Sequence, residues 1–407
     1  MTKRRQLLIF LVALAMITFL DRIAIASAGP RVQQALHISA SQWGWVLGAF
    51  ILSYGLFEIP TGVMGDRTGP RNVLTRIVLW WSVFTGLTGL AWSFAPLVAI
   101  RFLFGAGEAG AYPNMSAVTA RWFAPKERAQ AQGFIWAASR FGGALAPLIV
   151  IPLQASIGWR STFAVLGAIG VLWAIAWVAW SRESPANVAV SEDRRESHLA
   201  SWREVFRKKQ LWLIVVMYFC YAWGSWFFFG WFPTWLVKGA GFTEAEMGIW
   251  SALPFLCGTA GNLAGGFLGD RMVASFGVKA ARRSVGSGAL IASSILLLCM
   301  TLTHSRLAIV ILSSLGFGVA DLMLPTAWAL CLDIGGRQVG LVTGIMNSAG
   351  QFGGFVCSVV FGYVVQLTGN YNMPLWGVAA MVMVAALLFT HIDASRPLFA
   401  PEELSRV

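Results

Sequence analysis

The chain has 407 residues, 57% of them apolar and only 12% charged, with a formal net charge of +12. Soluble domains carry roughly 25% charged residues, so this composition excludes a water-soluble globular protein and predicts an integral membrane protein. The basic excess does not imply nucleic acid, because the positive charges follow the spacing of the apolar runs and set orientation in a membrane.

In chain order, apolar runs of about 20 residues, each enough to cross a ~30 Å hydrocarbon core, recur at 7–29, 42–64, 72–93, 97–120, 131–156, 160–181, 211–237, 247–268, 284–303, 306–330, 339–365 and 373–392. They predict an all-α membrane protein with twelve transmembrane helices and almost nothing left over for a soluble domain. With the N-terminus inside, segments on that side hold 23 of the 30 Lys and Arg residues. Opposite segments hold Arg31, Arg160, Lys238 and Arg306, while Arg22, Arg101 and Arg140 fall within spans. This asymmetry places both termini in the cytoplasm. Ala26-Ser27-Ala28 could pass for a cleavage site after the first run, but Asp21 and Arg22 would then end its apolar region, so it is read as a retained span.

The first and fourth spans carry the chemistry. Asp21 and Arg22 interrupt the first, and Arg101 and Glu108 the fourth. An ionised group near a bilayer centre costs roughly 2.5–3.5 kcal/mol even on lenient insertion scales. Arg101 and Glu108 are seven residues apart, two turns of one face and about 10.5 Å in depth. Arg22 and Arg101 reach similar depths and could clamp a carboxylate. Asp21 and Glu108 are the candidate proton acceptors, since a carboxyl group withdrawn from water holds its proton more readily. The competing reading is a set of salt bridges that only ties the two helices together. His37, His304, His198 and His391 all lie outside the spans or at their ends. No metal or cofactor is expected, and no Ser/His constellation suggests an enzyme. The five cysteines are scattered without CxxC spacing and read as small apolar filler. Tryptophans near span ends (Trp43, Trp45, Trp80, Trp81, Trp231 and Trp235) are expected to anchor in the lipid interface.

The polar stretch 182–210 divides the chain into residues 1–181 and 211–407, predicted as two six-helix bundles with a cytoplasmic linker between them and a short cytoplasmic tail. The halves repeat. MGDRTGPR at 64–71 is echoed by LGDRMVASFG at 268–277, and an offset of 211 sets Arg140 on Gln351, Gly133 on Gly344 and Gly158 on Gly369. GDRTGPR resembles the loop signature of the major facilitator superfamily over essentially the whole chain. FLDR (19–22), SYGLFEIPTG (53–62), RFLFGAGEAGAYPN (101–114), RWFAPKERAQAQG (121–133), WFPTWLV (231–237) and DIGGRQVGLVTGIMNSAGQFGG (333–354) are similar to its anion:cation symporter family of hexuronate, galactonate, phthalate and sialin-type carriers.

That resemblance implies the major facilitator fold and alternating access. It assigns Asp21 and Glu108 to proton coupling, Arg22 and Arg101 to the substrate anion, and Tyr54 to substrate contact. Thr326, Trp328, Asn347 and Gln351 are the polar groups in the second half that could read the rest of the substrate, and the family uses positions near Trp328 and Asn347 for this. Arg140 departs from the family pattern: it binds a second acidic group of the substrate, or pairs with Asp321 or Glu108. Asp66, Arg67 and Arg71, echoed by Asp270 and Arg271, are expected to gate the cytoplasmic side. The resulting expectation is a monomeric, proton-coupled importer of a small organic anion, a hexonate or hexuronate sugar acid, in a bacterial inner membrane. Its partners are that anion, protons and lipid. The rival readings are a carrier of an aromatic or other dicarboxylate, an exporter or antiporter, and a non-transporting membrane sensor.

Overall fold

The computed structural model describes residues 3–68, 70–123, 125–181, 206–335, 339–396 and 398, which are helices and short turns with no strand among them. Every predicted apolar run is mostly helix. The first half contains α1 (Lys3–Ser27), the short α2 (Gly29–Ala35), α3 (Ala40–Thr68), α4 (Pro70–Thr88), α5 (Phe94–Glu108), α6 (Ala111–Trp122) and α7 (Pro125–Ser181). The second contains α8 (Lys209–Trp226), one π-helical turn (Phe227–Trp231), α9 (Phe232–Lys238), α10 (Glu244–Trp250), α11 (Leu253–Leu302), α12 (Arg306–Asp321), α13 (Met323–Gly335), α14 (Val339–Thr368) and α15 (Met373–His391).

α7 and α11 each hold two predicted spans and bend at a left-handed glycine, Gly158 (φ 80°) and Gly277 (φ 77°). Gly369, which ends α14, also has positive φ (67°). Residues with a Cβ avoid this region. Gly158 and Gly369 are the pair matched by the 211-residue offset, so both halves turn the chain after their fifth span with the same device. Several predicted spans are broken. The first passes from α1 to α2 at Ala28, the fourth divides into α5 and α6, and the seventh contains the π turn. The eighth breaks at Ser251 and Ala252 between α10 and α11, and the tenth at Leu322 between α12 and α13.

The expected loop at GDRTGPR is mostly helix: α3 continues through Asp66 and Arg67, and Arg71 lies in the first turn of α4. The side chains of these three residues lie outside the described set. Their echoes Asp270 and Arg271 are exposed on α11 and form no ion pair with a described residue.

The described residues form two compact units. One comprises those of 1–186, 226–256 and 355–374; the other comprises those of 187–225, 257–354 and 375–407. In the first unit, α1 buries Leu7, Leu11, Leu14, Thr18, Asp21 and Ile25, a stripe at alternating spacings of four and three that faces neighbouring helices. Its main neighbour is α7, where a Cβ on Gly142 would lie 2.3 Å from the Met16 carbonyl oxygen. Asp21 therefore sits on the packed face of α1, pointing into the unit.

At the end of this unit remote from the start of α1, α2 is tied to α9 and α10. Arg31 Nε donates to Glu244 Oε2 (2.7 Å) and its Nη1 to the Gln154 carbonyl (2.8 Å). Lys238 Nζ donates to Gln33 Oε1 (3.0 Å). In the second unit the Asp393 carboxylate, just beyond α15, accepts from Lys279 at 2.7 Å and from Ser395. These partners hold it well below the usual carboxylate range.

The tryptophans correct the lipid-anchor expectation. Trp43, Trp81, Trp231 and Trp235 are buried, and the indoles of the last two donate to the Ser358 carbonyl and Asn372 Oδ1. Only Trp45 and Trp80 of that set are exposed. Position near a span end does not distinguish the lipid face of a helix from its packed face.

Candidate functional site

The four charges of the first and fourth spans meet inside the first unit. α5 can approach α3 closely because residue 105 is glycine: a Cβ there would lie 2.2 Å from Ser53 Oγ and 2.4 Å from the Phe50 carbonyl. Arg101 and Glu108 flank Gly105 at four and three residues, so the same helical stripe carries both toward the interior. Glu108 is the last residue of α5. Gly110 follows with φ 85°, and Pro113 has no N–H to offer the Ala109 carbonyl. Asn114 bridges the break by donating to the Gly110 carbonyl at 2.8 Å. The fourth span thus places its carboxylate at a helix end and not in the middle of a continuous helix.

Arg22 Nε donates to Glu108 Oε1 at 3.1 Å, and its Nη2 completes the ion pair to the same oxygen. Glu108 is fully buried, and its Oε2 has no hydrogen-bond partner. The Arg22 guanidinium lies in an aromatic cage, 4.8 Å from the Phe19 ring centre, 4.9 Å from Tyr54 and 5.3 Å from Phe50. A ring face attracts a cation but does not accept its N–H groups as a carboxylate would.

Arg101 is 2% exposed, its Nε has no partner, and it lies 4.4 Å over the Phe104 ring. It is attracted by both Glu108 and Asp21 and repelled by Arg22. Asp21 Oδ2 accepts from Thr85 Oγ1 of α4 at 3.4 Å, whereas Oδ1 has no partner. The result is a desolvated cluster of two acids and two guanidiniums with unused hydrogen-bonding capacity on both sides.

Beside it, Tyr112 of α6 shares a 2.6 Å hydrogen bond with Ser139 and stacks on Trp136 at 4.7 Å. Tyr112 lies in the field of Arg22, Glu108 and Arg140. Arg140 follows Ser139 on α7, and its guanidinium is 5.4 Å from the Phe229 ring centre. Tyr112, Ser139 and Thr85 were not singled out from the sequence. Tyr112 lies in the motif-rich AYPN segment, but Thr85 and Ser139 carry no local signal.

The family model of the Major Facilitator Superfamily matches residues 11–358. The chain belongs to the Major Facilitator Superfamily. It is 35% identical over 402 residues to a Cupriavidus necator protein named "Probable sulfoacetate transporter SauU", covering 95% of this chain and 93% of that one. The "Hexuronate transporter" of Bacillus subtilis is 27% identical, covering 96% and 95%. Among solved structures, an inward-facing, unoccupied bacterial homolog of the human lysosomal transporter Spinster superposes with a TM-score of 0.80. At 20% identity, covering 98% of this chain and 99% of that one, it supports the major facilitator fold alone.

In this superfamily member the other predicted residues lie in the second unit. Thr326 and Trp328 are on α13, and Asn347 and Gln351 are on α14. Thr326 is buried with its hydroxyl unpartnered, and Gln351 Oε1 is likewise buried without a partner. Asp321, the last residue of α12, is fully buried: Tyr221 donates to its Oδ1 at 2.9 Å and Asn262 to its Oδ2 at 3.0 Å. A Cβ at residue 258 would lie 2.8 Å from Asp321 Oδ2, so Gly258 is part of what admits the carboxylate.

Proposed function

We propose that this protein is a proton-coupled carrier importing a small organic anion across a bacterial inner membrane, with both termini cytoplasmic and the two six-helix halves rocking about the bound substrate. One observation carries this reading: two guanidiniums and two carboxylates share one desolvated cluster, and Arg101 Nε, Glu108 Oε2 and Asp21 Oδ1 have no hydrogen-bond partner among the described residues. A cluster meant only to hold α1 and α5 together would use those atoms. The substrate carboxylate bridges Arg22 and Arg101, and the carboxyl group displaced from Arg22 takes the proton. Relatives named for hexuronate, L-galactonate and galactarate/D-glucarate support a sugar acid as the cargo. Tyr54, Thr326, Trp328, Asn347 and Gln351 read its hydroxyl groups.

A second reading is favoured by Arg140 and by the relative named for sulfoacetate: a short anion with an acidic group at each end, one on Arg22 and Arg101 and the other on Arg140. Thermal-shift measurement of the purified protein against galactonate, glucuronate, glucarate and sulfoacetate tests both. A sugar-acid carrier is stabilised by galactonate, glucuronate or glucarate, and Arg140→Gln costs it little. A carrier of short two-ended anions is stabilised only by sulfoacetate, and Arg140→Gln removes that response. No stabilisation by any organic acid would overturn both readings.

Gating is assigned to Asp66, Arg67 and Arg71 on the cytoplasmic side, with Asp270 and Arg271 as counterparts in the second half. Pairs that form in one state and break in the other suit a rocking carrier. Asp66→Asn is expected to slow uptake into whole cells severalfold and leave equilibrium affinity within about twofold. A large affinity loss with normal uptake at saturating substrate would contradict the assignment.

A further inference from the structure

Outside the charge cluster, the first unit has a groove between α4 and the end of α7. It consists of two adjoining cavities of about 620 and 330 Å³ that share Thr75, Leu79 and Val178 as walls. Both volumes lie within or near the range of small-molecule sites. Along α4 the groove changes character. Asn72 and Arg76 are exposed at one end, and Leu79 (39% exposed) and Val83 (54%) continue it as an apolar channel. From Asn72 to Val83 is about 16 Å along a helix, close to half of a ~30 Å hydrocarbon core. α4 begins on the same side of the membrane as α1, so the polar end lies level with the headgroups on the side of the chain termini.

The rim is fixed. The Trp80 indole donates to the Leu103 carbonyl at 2.8 Å and fills the notch left by Gly107, where a Cβ would lie 1.7 Å from its ring. On the α7 side, the small residues Ala174 and Ala179 leave the depth open. A convex lipid-facing helix would meet any acyl chain equally. A channel one leaflet long with a cation at its headgroup end is instead shaped for one lipid.

We propose that this groove binds an anionic phospholipid, its phosphate on Arg76 and Asn72 and one acyl chain along Leu79, Val83 and Val178. The choice of an anionic lipid rests on charge complementarity: cytoplasmic leaflets hold the acidic lipids, and basic side chains at their surface attract them. The site is independent of the cargo.

The test is native mass spectrometry of the full chain released from detergent micelles containing equal amounts of dioleoyl phosphatidylglycerol and dioleoyl phosphatidylcholine. The unaltered protein is expected to retain one phosphatidylglycerol in preference to phosphatidylcholine, by about fivefold for one basic contact. Arg76→Gln should bring the two lipids level, and Arg76→Lys should keep the preference. Ala179→Phe, at an exposed position, should fill the channel and release both lipids with Arg76 intact. Equal retention of the two lipids by the unaltered protein would overturn the proposal. So would undiminished phosphatidylglycerol in the Ala179→Phe variant, or a two-chain mass that disappears when that groove is filled, which would make a second copy the occupant.

Discussion

Arg22→Lys and Arg101→Lys are each expected to abolish ligand-dependent thermal stabilisation while leaving a folded protein. Lysine keeps the positive charge, so Glu108 retains an ionic partner and the buried cluster stays neutral. The planar fork of donors is lost. A guanidinium can hold Glu108 through one edge and present another to a second carboxylate, whereas an ammonium is a single point charge. Arg22→Ala is harsher because it leaves Glu108 buried and unpaired, at a cost of about 3–5 kcal/mol, and loss of fold is expected to accompany loss of binding. The lysine pair is therefore the informative one. Binding within about threefold of the unaltered protein in both lysine variants would rule out the clamp.

The second large effect is expected from Glu108→Gln. The amide imitates a permanently protonated carboxyl group, so anion binding and counterflow exchange should persist while accumulation driven by an inward proton gradient disappears. Proteoliposomes supply both halves of the measurement: exchange at equal pH on the two sides, and uptake under an imposed gradient. Asp21→Asn should also break accumulation. It should damage exchange more, because Asp21 attracts Arg101 and helps fix the guanidinium proposed to receive the anion. If Glu108→Gln concentrates substrate as well as the unaltered protein, the coupling acid lies elsewhere. Asp321, fully buried between Tyr221 and Asn262, is the next candidate.

The twelve spans were legible because each is a predominantly apolar run of about 20 residues, and the charge quartet because so few ions occur within those runs. The seven-residue spacing of Arg101 and Glu108 correctly put them on one stripe. The break immediately after Glu108 was less visible. GAGEAGAYP contains three glycines and a proline, but only the packed structure shows which glycine takes the left-handed conformation. Thr85, Tyr112 and Ser139 were missed for a different reason. An apolar membrane helix shows weak contrast between its lipid and protein faces, so the rotation that aims Thr85 at Asp21 or Tyr112 at Ser139 is set by neighbouring helices and leaves no periodic trace. The same ambiguity misassigned Trp43, Trp81, Trp231 and Trp235 to the lipid interface.

The charge count of the quartet has an electrical consequence. In the proposed cycle, two carboxylates and two guanidiniums sum to zero, so the quartet itself carries no net charge when the empty site reorients. A monoanion arriving with a single proton leaves that sum unchanged, and net transport would then be insensitive to voltage. The pH difference alone sets accumulation, tenfold per pH unit. If Asp21 and Glu108 both carry protons, the loaded site bears one positive charge. An interior-negative potential of 100 mV then adds about 2.3 kcal/mol of drive, or roughly fiftyfold in accumulation. Uptake into vesicles clamped at zero and at a negative interior potential separates these regimes, so a single voltage comparison counts how many of the two buried acids travel protonated.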